Sequence, residues 1–171
     1  MTGSDATFTV RPARTSDVPR IQELLEPWVQ RRILRGKERV TLYETVQEFV
    51  VAEAGDRLVG CGALHVMWED LGEIRTLAVD PARAREGIGG RLLDELIGRA
   101  RALGLVRLFC LTFEVDFFST RGFSEIEGSP VDHAVFEQLL QSYDEGVAEF
   151  LDLERVKPNT LGNHRMLMLL R

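Results

Sequence analysis

Residues 73–79 read Glu-Ile-Arg-Thr-Leu-Ala-Val, followed by Asp80-Pro81 and, after a short basic loop, by Gly87-Ile88-Gly89-Gly90. The apolar and β-branched run predicts a buried strand that ends at Asp-Pro. The glycines predict a loop whose backbone can approach a ligand closely, and the apolar spacing after them predicts a helix over 88–103. Because a helix N-terminus presents N–H groups and the positive end of its dipole, this strand, loop and helix together suit a phosphate group.

Glycines at a helix start also occur in ordinary loops, so two interpretations stay open at this point. The residues that follow favour the phosphate site. Residues 105–112 predict a second buried strand. Asp116-Phe117-Phe118-Ser119 then predicts a short helix, which Gly122 ends before a strand that begins at Phe123.

This succession over residues 73–123 resembles the acyl-CoA-binding half of the GNAT acetyltransferase superfamily. The resemblance implies acetyl-CoA as co-substrate, with its pantetheine along Leu77, Ala78 and Val79. It also implies a diphosphate cradle made by Arg85, Glu86, Gly87, Ile88, Gly89 and Gly90. The family's loop usually begins with Gln or Arg and a small residue, whereas Ala84 and Arg85 stand here.

The composition predicts a single domain over residues 1–171, because 171 residues with 44% hydrophobic content can bury a real core. The formal net charge of −6 argues against nucleic acid or an anionic membrane as partner. An anionic cofactor therefore needs a locally basic site, which Arg83, Arg85 and Arg91 could supply.

The two cysteines, Cys61 and Cys110, lie in strand-like apolar runs and are expected to be buried free thiols. No stretch is apolar for long enough to span a membrane, and the N-terminus lacks a signal-peptide core. A cytoplasmic protein is therefore expected. The three histidines have no close spacing, so we expect no metal site.

The remaining pattern predicts an α/β (α+β) fold with a mixed, largely antiparallel sheet flanked by helices. Pro27 is expected to interrupt the first helix, which resumes over 28–34. The predicted elements are strands over 7–11, 49–54, 58–66, 71–79, 105–112, 123–127 and 165–170, and helices from 18, over 42–48, over 88–103 and through 135–140.

Acetyl transfer to an amine requires a base, and Glu73 is the candidate. Alternation along a strand would place its carboxylate on the same face as Arg75 and Leu77. A surface glutamate is the alternative, but the resemblance implies a general base at this position. It also implies that a backbone N–H of the splayed strand stabilises the oxyanion.

A narrower resemblance links Gly72-Glu73-Ile74 to the acetyltransferase domain of N-acetylglutamate synthases, in their short stand-alone form. Residues 40–44, residues 60–64 and Lys157-Pro158-Asn159 support it. This likeness implies transfer of acetyl to the α-amine of L-glutamate, the first step of arginine biosynthesis. Direct attack is expected, because neither cysteine has a nearby base in the sequence.

The sequence leaves several candidates for the group that protonates the leaving thiolate. Many GNAT members carry a tyrosine where Phe118 stands here, and phenylalanine cannot donate a proton. Thr112 matches a position where such synthases often carry Ser or Thr. Tyr143 and water are the alternatives.

Cationic side chains are needed for the carboxylates of an amino-acid acceptor. Lys37, Arg75 and Lys157 are predicted ligands, and Arg39 and Arg165 are further candidates. The family likeness implies a small polar side chain near the substrate where His164 stands, so His164 is also a predicted substrate ligand. Rival functions are acetylation of another amine (glutamine, a polyamine or a protein lysine) or a non-catalytic acyl-CoA-binding regulator. The apolar run 166–170 also suggests a sheet contact across a homodimer.

Overall fold

The computed structural model describes residues 7–157 and 162–170. Its helices are α1 (Val18–Gln30), α2 (Arg39–Glu44), α3 (Ile88–Leu103), α4 (Val115–Ser119), α5 (His133–Leu139) and α6 (Glu145–Phe150). Its strands are β1 (Thr9–Pro12), β2 (Phe49–Ala54), β3 (Arg57–Trp68), β4 (Leu71–Val79), β5 (Arg107–Thr112), β6 (Ser124–Glu125) and β7 (His164–Leu169). Short 3-10 turns at Thr15–Asp17, Val46–Glu48, Pro81–Arg83 and Glu154–Val156 connect them.

The strands form one mixed sheet in the order β1-β2-β3-β4-β5-β7-β6. The pairs β1–β2, β2–β3, β5–β7 and β6–β7 are antiparallel, and β4–β5 is parallel. The predicted mixed, largely antiparallel sheet flanked by helices is therefore confirmed.

Two compact units divide the described chain, and strands β3 and β4 run through both. The first unit contains residues 7–65 and Ile74–Leu103. One of its apolar clusters joins side chains of α1, α2, β2 and β3, among them Ile21, Leu42, Val51 and Cys61. The second unit contains Val66–Glu73 and residues 104–157 and 162–170, with a cluster around Phe109 and Phe150.

Local sequence signals placed several elements correctly. Helix α3 begins at Ile88 and ends at Leu103, and Gly104 follows it at a φ of +89°. This positive φ is the backbone conformation that favours glycine after a helix. Strand β4 has the predicted bounds, whereas helix α6 has no counterpart in the prediction.

The predicted break at Pro27 is wrong, because α1 continues through this residue to Gln30. A proline at this position removes one hydrogen bond to the carbonyl one turn earlier. Trp28 and Val29 pack against the apolar cluster of the first unit, which offsets that loss. The helix ends before the predicted 28–34 segment is complete, with Arg32 at a φ of +57°.

Strand β7 lies between β5 and β6 rather than at an edge. Leu167 pairs with Phe109 on one side and Ser124 on the other, and Met166 pairs with Cys110 and Glu125. A second copy therefore cannot add a strand at these two residues. Within residues 7–157 and 162–170, no helix combines the length and apolarity that crossing a bilayer requires.

Candidate active site

Strand β4 carries both the predicted base and the predicted cofactor residues. Its parallel ladder with β5 covers Leu71–Glu73, with Glu73 opposite Phe109. Thr76, further along the strand, has a φ of +57°. A left-handed residue interrupts strand alternation, so the expectation that Glu73 and Leu77 share a face by period two does not hold across it.

Glu73 is buried, with 4% of its surface exposed. The surface-glutamate alternative is therefore excluded. Cys110 lies close enough on β5 that the Glu73 charge, together with burial, raises the pKa of its thiol. Arg165 of β7 also lies within electrostatic range of this carboxylate. The second unit thus holds a buried acid at the end of the β4–β5 ladder.

Thr112 is the last residue of β5 and is 8% exposed. Its Oγ accepts a hydrogen bond of 2.8 Å from the Glu114 N–H. The same hydroxyl can still donate its own proton, since a hydroxyl carries one donor and two acceptor sites. By strand alternation Thr112 shares a face with Cys110, the neighbour of Glu73.

The two other residues considered as proton donors differ sharply in their surroundings. Phe118 is buried, and its ring packs edge-on against Phe117 and Phe123. Tyr143 is 99% exposed. Thr112 thus lies buried at the end of β5, whereas Tyr143 is in contact with solvent.

Neither cysteine is suited to forming an acetyl-enzyme. Cys61 and Cys110 are free and buried, as predicted. Burial raises the pKa of Cys61 to about 12, and it also raises the pKa of Cys110. Since the thiolate is the nucleophilic form of cysteine, both groups are held in the unreactive state.

The C-terminal end of β4, at Val79 and Asp80, is fixed by hydrogen bonds within the first unit. The Trp28 indole Nε1 donates to the Val79 carbonyl over 3.2 Å, and the Asp80 N–H donates to the Val59 carbonyl over 2.9 Å. The Asp80 side chain then accepts from the Ala82 N–H at 2.9 Å, which begins the turn Pro81–Arg83. The sequence analysis missed Trp28, whose contact joins residues 51 positions apart.

The loop between this turn and α3 contains two left-handed residues, Arg85 at a φ of +67° and Gly87 at +81°. Ile88 is buried at the helix start, where the Arg91 N–H donates to the Gly87 carbonyl at 3.1 Å. Amides at the start of a helix have no carbonyl one turn earlier within it. Turns with left-handed residues leading into such a helix form anion-binding concavities.

The arginines near this loop differ in their partners. Arg83 Nε donates to Glu86 at 2.5 Å, and this bond raises the Arg83 pKa. The Arg91 guanidinium lies 5.5 Å from the centre of the Phe8 ring. Arg85 is exposed on the left-handed turn. The local positive charge expected from the sequence is therefore partly offset by Glu86, a residue of the predicted cradle.

Two glycines of β3 allow α3 to lie close to the sheet. A Cβ on Gly60 would come within 2.8 Å of Leu92 and 2.9 Å of Ile88, and one on Gly62 within 2.9 Å of Leu77. Any larger residue would therefore force the side chains of α3 and β4 that contact these glycines to shift. Sequence reasoning used residues 60–64 only for the resemblance and missed this packing role.

The predicted acceptor ligands are distributed over both units. Lys37 and Arg75 are half-buried in the first unit. In the second unit, Lys157 donates to Glu154 at 3.1 Å, which raises the Lys157 pKa, and His164 Nδ1 lies 2.6 Å from Glu125. His164 is also the register partner of Thr112. Pro158 and Asn159 of the quoted motif lie outside the described residues.

The two further candidates make well-defined contacts. Arg165 donates to the carbonyls of Gly128, Glu149 and Phe150 and lies over the Phe109 ring at 5.0 Å. Burial lowers its pKa. Arg39 donates to the Gln22 amide oxygen at 2.9 Å. These contacts assign Arg165 to holding the loops of the second unit rather than to binding a substrate carboxylate.

Residues 18–123 match the acetyltransferase (GNAT) family, and the chain belongs to this family. It is 58% identical over 169 residues to the amino-acid acetyltransferase of Mycobacterium tuberculosis, covering 97% of each chain. A crystal structure from the same organism, in complex with CoA and NLQ, superposes with a TM-score of 0.92 over 95% of this chain and 99% of the other, at 58% identity.

A more distant relative supports the narrower resemblance. The N-acetylglutamate synthase of Neisseria gonorrhoeae, complexed with coenzyme A and N-acetyl-glutamate, is 28% identical with a TM-score of 0.77. That match covers 97% of this chain and 36% of the longer synthase chain. The similarity to N-acetylglutamate synthases is therefore confirmed, over about a third of that relative's length.

Proposed function

We propose that this chain transfers acetyl from acetyl-CoA to the α-amino group of L-glutamate or a close analogue. The observations that carry the proposal are the left-handed residues Arg85 and Gly87 in the loop into α3 and the burial of Glu73 on β4. The likeness to an amino-acid acetyltransferase of nearly the same length supports the choice of an amino acid as acceptor.

In this proposal the cofactor occupies the exit of β4 and the loop that follows. Leu77, Ala78 and Val79 line the pantetheine. Arg85, Glu86, Gly87, Ile88, Gly89 and Gly90 surround the diphosphate. Backbone N–H groups and the α3 dipole supply the favourable electrostatics, which matters in a chain whose net charge is −6.

Glu73 serves as the general base, directly or through a water molecule. It accepts a proton from the acceptor's ammonium group, and the free amine attacks the thioester carbonyl. The C–S bond then breaks, leaving the N-acetyl product and the CoA thiolate. The second proton that the nitrogen loses passes through the Thr112 hydroxyl to this thiolate, so Thr112 ends the step protonated. The raised pKa values of Cys61 and Cys110 support this direct route over an acetyl-enzyme.

In this scheme the cationic side chains of Lys37, Arg75 and Lys157 hold the acceptor's carboxylates, and His164 is a further polar contact to the acceptor. Lys157 and His164 already contact Glu154 and Glu125, so a substrate carboxylate would exchange with these partners. Such exchange costs little free energy, because exposed ion pairs contribute little to stability. We place the reaction at the first step of arginine biosynthesis.

The test combines calorimetry with an acceptor screen. Acetyl-CoA is titrated first, and thiol release is then followed with glutamate, glutamine, spermidine and Nα-acetyl-lysine. We expect saturable binding and the highest kcat/KM with glutamate. A faster reaction with spermidine or the lysine analogue would contradict the acceptor assignment. Binding of acetyl-CoA without release of its thiol in the presence of any of these amines would indicate a non-catalytic acyl-CoA-binding regulator. Phe118, in place of the tyrosine of many GNAT members, would agree with that outcome.

The pathway assignment has a separate test. Expression of this chain in an arginine auxotroph that lacks N-acetylglutamate formation should restore growth without arginine. A Glu73→Gln variant in the same strain is the matched control and should fail to do so. Growth with the variant would contradict the role of Glu73.

A further inference from the structure

The C-terminal part of α1 contacts the exit of β4 through one side chain. Trp28 Nε1 donates to the Val79 carbonyl at 3.2 Å. The ring packs against the apolar cluster of the first unit, and the Arg31 guanidinium lies 5.3 Å from its centre. These contacts restrict rotation of the indole, so its N–H is already oriented toward the strand.

The Val79 carbonyl and the Asp80 N–H belong to one planar peptide unit. Trp28 holds the carbonyl from α1, and the Val59 carbonyl holds the N–H from β3 at 2.9 Å. Two anchors on opposite ends of one rigid plane define its orientation. This plane is the last one before the turn at Pro81–Arg83, whose first bond runs from the Arg83 N–H to the Asp80 carbonyl at 2.8 Å.

The direction in which the chain leaves β4 therefore depends on the indole. If the carbonyl lost this donor, the peptide plane could rotate, and the turn and the loop with Arg85 and Gly87 would start from varying directions. Preorganised backbone donors bind an anion more tightly than mobile ones, because less ordering is required on binding.

We propose that Trp28 is a positioning residue for the cofactor, acting through the Val79–Asp80 peptide on the predicted diphosphate loop. This inference rests on the proposed function. Trp28 does not touch the reacting atoms in this scheme. Its loss should therefore weaken acetyl-CoA binding and leave the chemical step largely unchanged.

The decisive variant is Trp28→Phe, which keeps an aromatic ring and removes the donor. We expect KM for acetyl-CoA to rise about 5- to 10-fold, with kcat within about twofold of wild type, as for loss of one hydrogen bond. Trp68→Phe is the matched control, since Trp68 packs against the apolar cluster of the second unit. Equal KM values in the two variants would overturn the inference.

Two further readouts do not depend on turnover. Amide exchange over residues 79–83 without ligand should be faster in Trp28→Phe than in Trp68→Phe. In Trp68→Phe, where Trp28 is the remaining tryptophan, its emission should change as acetyl-CoA is added. An unchanged spectrum at saturation would overturn the inference even if Trp28→Phe failed to fold. Wild-type protein that binds no acetyl-CoA would overturn the proposed function itself.

Discussion

At the scale of single residues, Asp17 shows how a buried charge is held in this chain. It is 1% exposed and accepts from Arg11 at 2.8 and 3.0 Å and from the Arg14 N–H at 2.7 Å. Arg11 also donates to Glu53, so one guanidinium joins β1, the start of α1 and β2. These bonds, the one from Arg11 foremost, lower the pKa of Asp17.

Replacing Asp17 by Asn should therefore destabilise the fold by about 3 kcal/mol, as expected when one partner of a buried ion pair is removed. Because the carboxyl pKa is lower in the folded state, its contribution is present above about pH 4 and is lost as the pH falls through the folded value. Urea unfolding between pH 7 and pH 3 measures this, and Asp17→Asn should show the weaker acid dependence.

Glu23→Gln is the matched control for that series, because Glu23 is an exposed carboxylate on α1, the helix that directly follows Asp17. It should change the free energy of unfolding by less than about 0.5 kcal/mol at either pH. Parallel pH profiles for wild type and Asp17→Asn would contradict the assigned role of Asp17.

The buried acid Glu73 gives the second prediction at this scale. Glu73→Gln should lower kcat by about 10²- to 10⁴-fold, the range for loss of a general base, while acetyl-CoA binding stays close to wild type. Steady-state kinetics and calorimetry separate the two effects. Glu69→Gln, at an exposed glutamate before β4, should retain full activity. A rate for Glu73→Gln within threefold of wild type would remove the base from this position.

At the scale of elements, α3 has a left-handed glycine at each end. Gly87 precedes it at +81° and Gly104 follows it at +89°, and a Cβ at either would meet no atom within 4 Å. Alanine at each position therefore costs about 1 kcal/mol of backbone strain and creates no clash. The two sites differ in that only Gly87 lies in the predicted diphosphate loop.

Gly87→Ala and Gly104→Ala should accordingly lose similar stability in thermal melts. Calorimetry should show acetyl-CoA affinity reduced about 10-fold or more in Gly87→Ala alone, because strain there is relieved by reshaping the loop. Equal affinities in the two variants would argue against a diphosphate cradle at this helix end.

The packing of α3 on β3 gives a pair of predictions, because alanine should lower the free energy of unfolding at one glycine and raise it at another. Gly60→Ala would place a Cβ 2.8 Å from Leu92 and should cost about 1–3 kcal/mol, as for an overpacked core. Gly98→Ala, on the exposed face of the same helix with open space around it, should stabilise the protein by about 0.5–1 kcal/mol. Urea unfolding of both variants checks the pair, and a stabilised Gly60→Ala would contradict the close approach.

At the scale of the whole molecule, the two buried thiols report on the two units separately. Cys61 lies in the first unit and Cys110 in the second, and each is at most 1% exposed. A thiol reagent can reach them only when the surrounding core opens. Their labelling rates therefore measure how readily each unit opens.

Single-cysteine variants, Cys110→Ala and Cys61→Ala, should both label slowly in native buffer and rapidly in guanidinium. Acetyl-CoA should slow the labelling of Cys61 more than that of Cys110, because the predicted cofactor loop belongs to the same unit as Cys61. At a concentration of about 100 times Kd, the labelling rate of Cys61 should fall about 100-fold. Equal protection at both thiols would contradict this and would indicate that the units open together.

Much of the fold could be predicted because its signals are local. The bounds of β4 and α3 follow from hydrophobic periodicity and from the glycines at the helix ends, and the burial of both cysteines follows from the runs that contain them. The choice of Glu73 rested on a family resemblance. Its burial opposite Phe109 depends on a parallel strand 36 positions further along the chain, and no local pattern encodes such a partner.

By itself, the sequence determined the glycine loop into α3 and the order of the elements apart from α6, because periodicity and turn chemistry act over a few residues. It also determined the family, through the resemblance of residues 73–123. Only the tertiary structure decided that α1 continues through Pro27, that Thr76 interrupts the alternation of β4, and that Arg165 holds backbone carbonyls. It also decided the contact between Trp28 and Val79. Each of these features depends on atoms brought together from distant parts of the chain, where packing outweighs local preference.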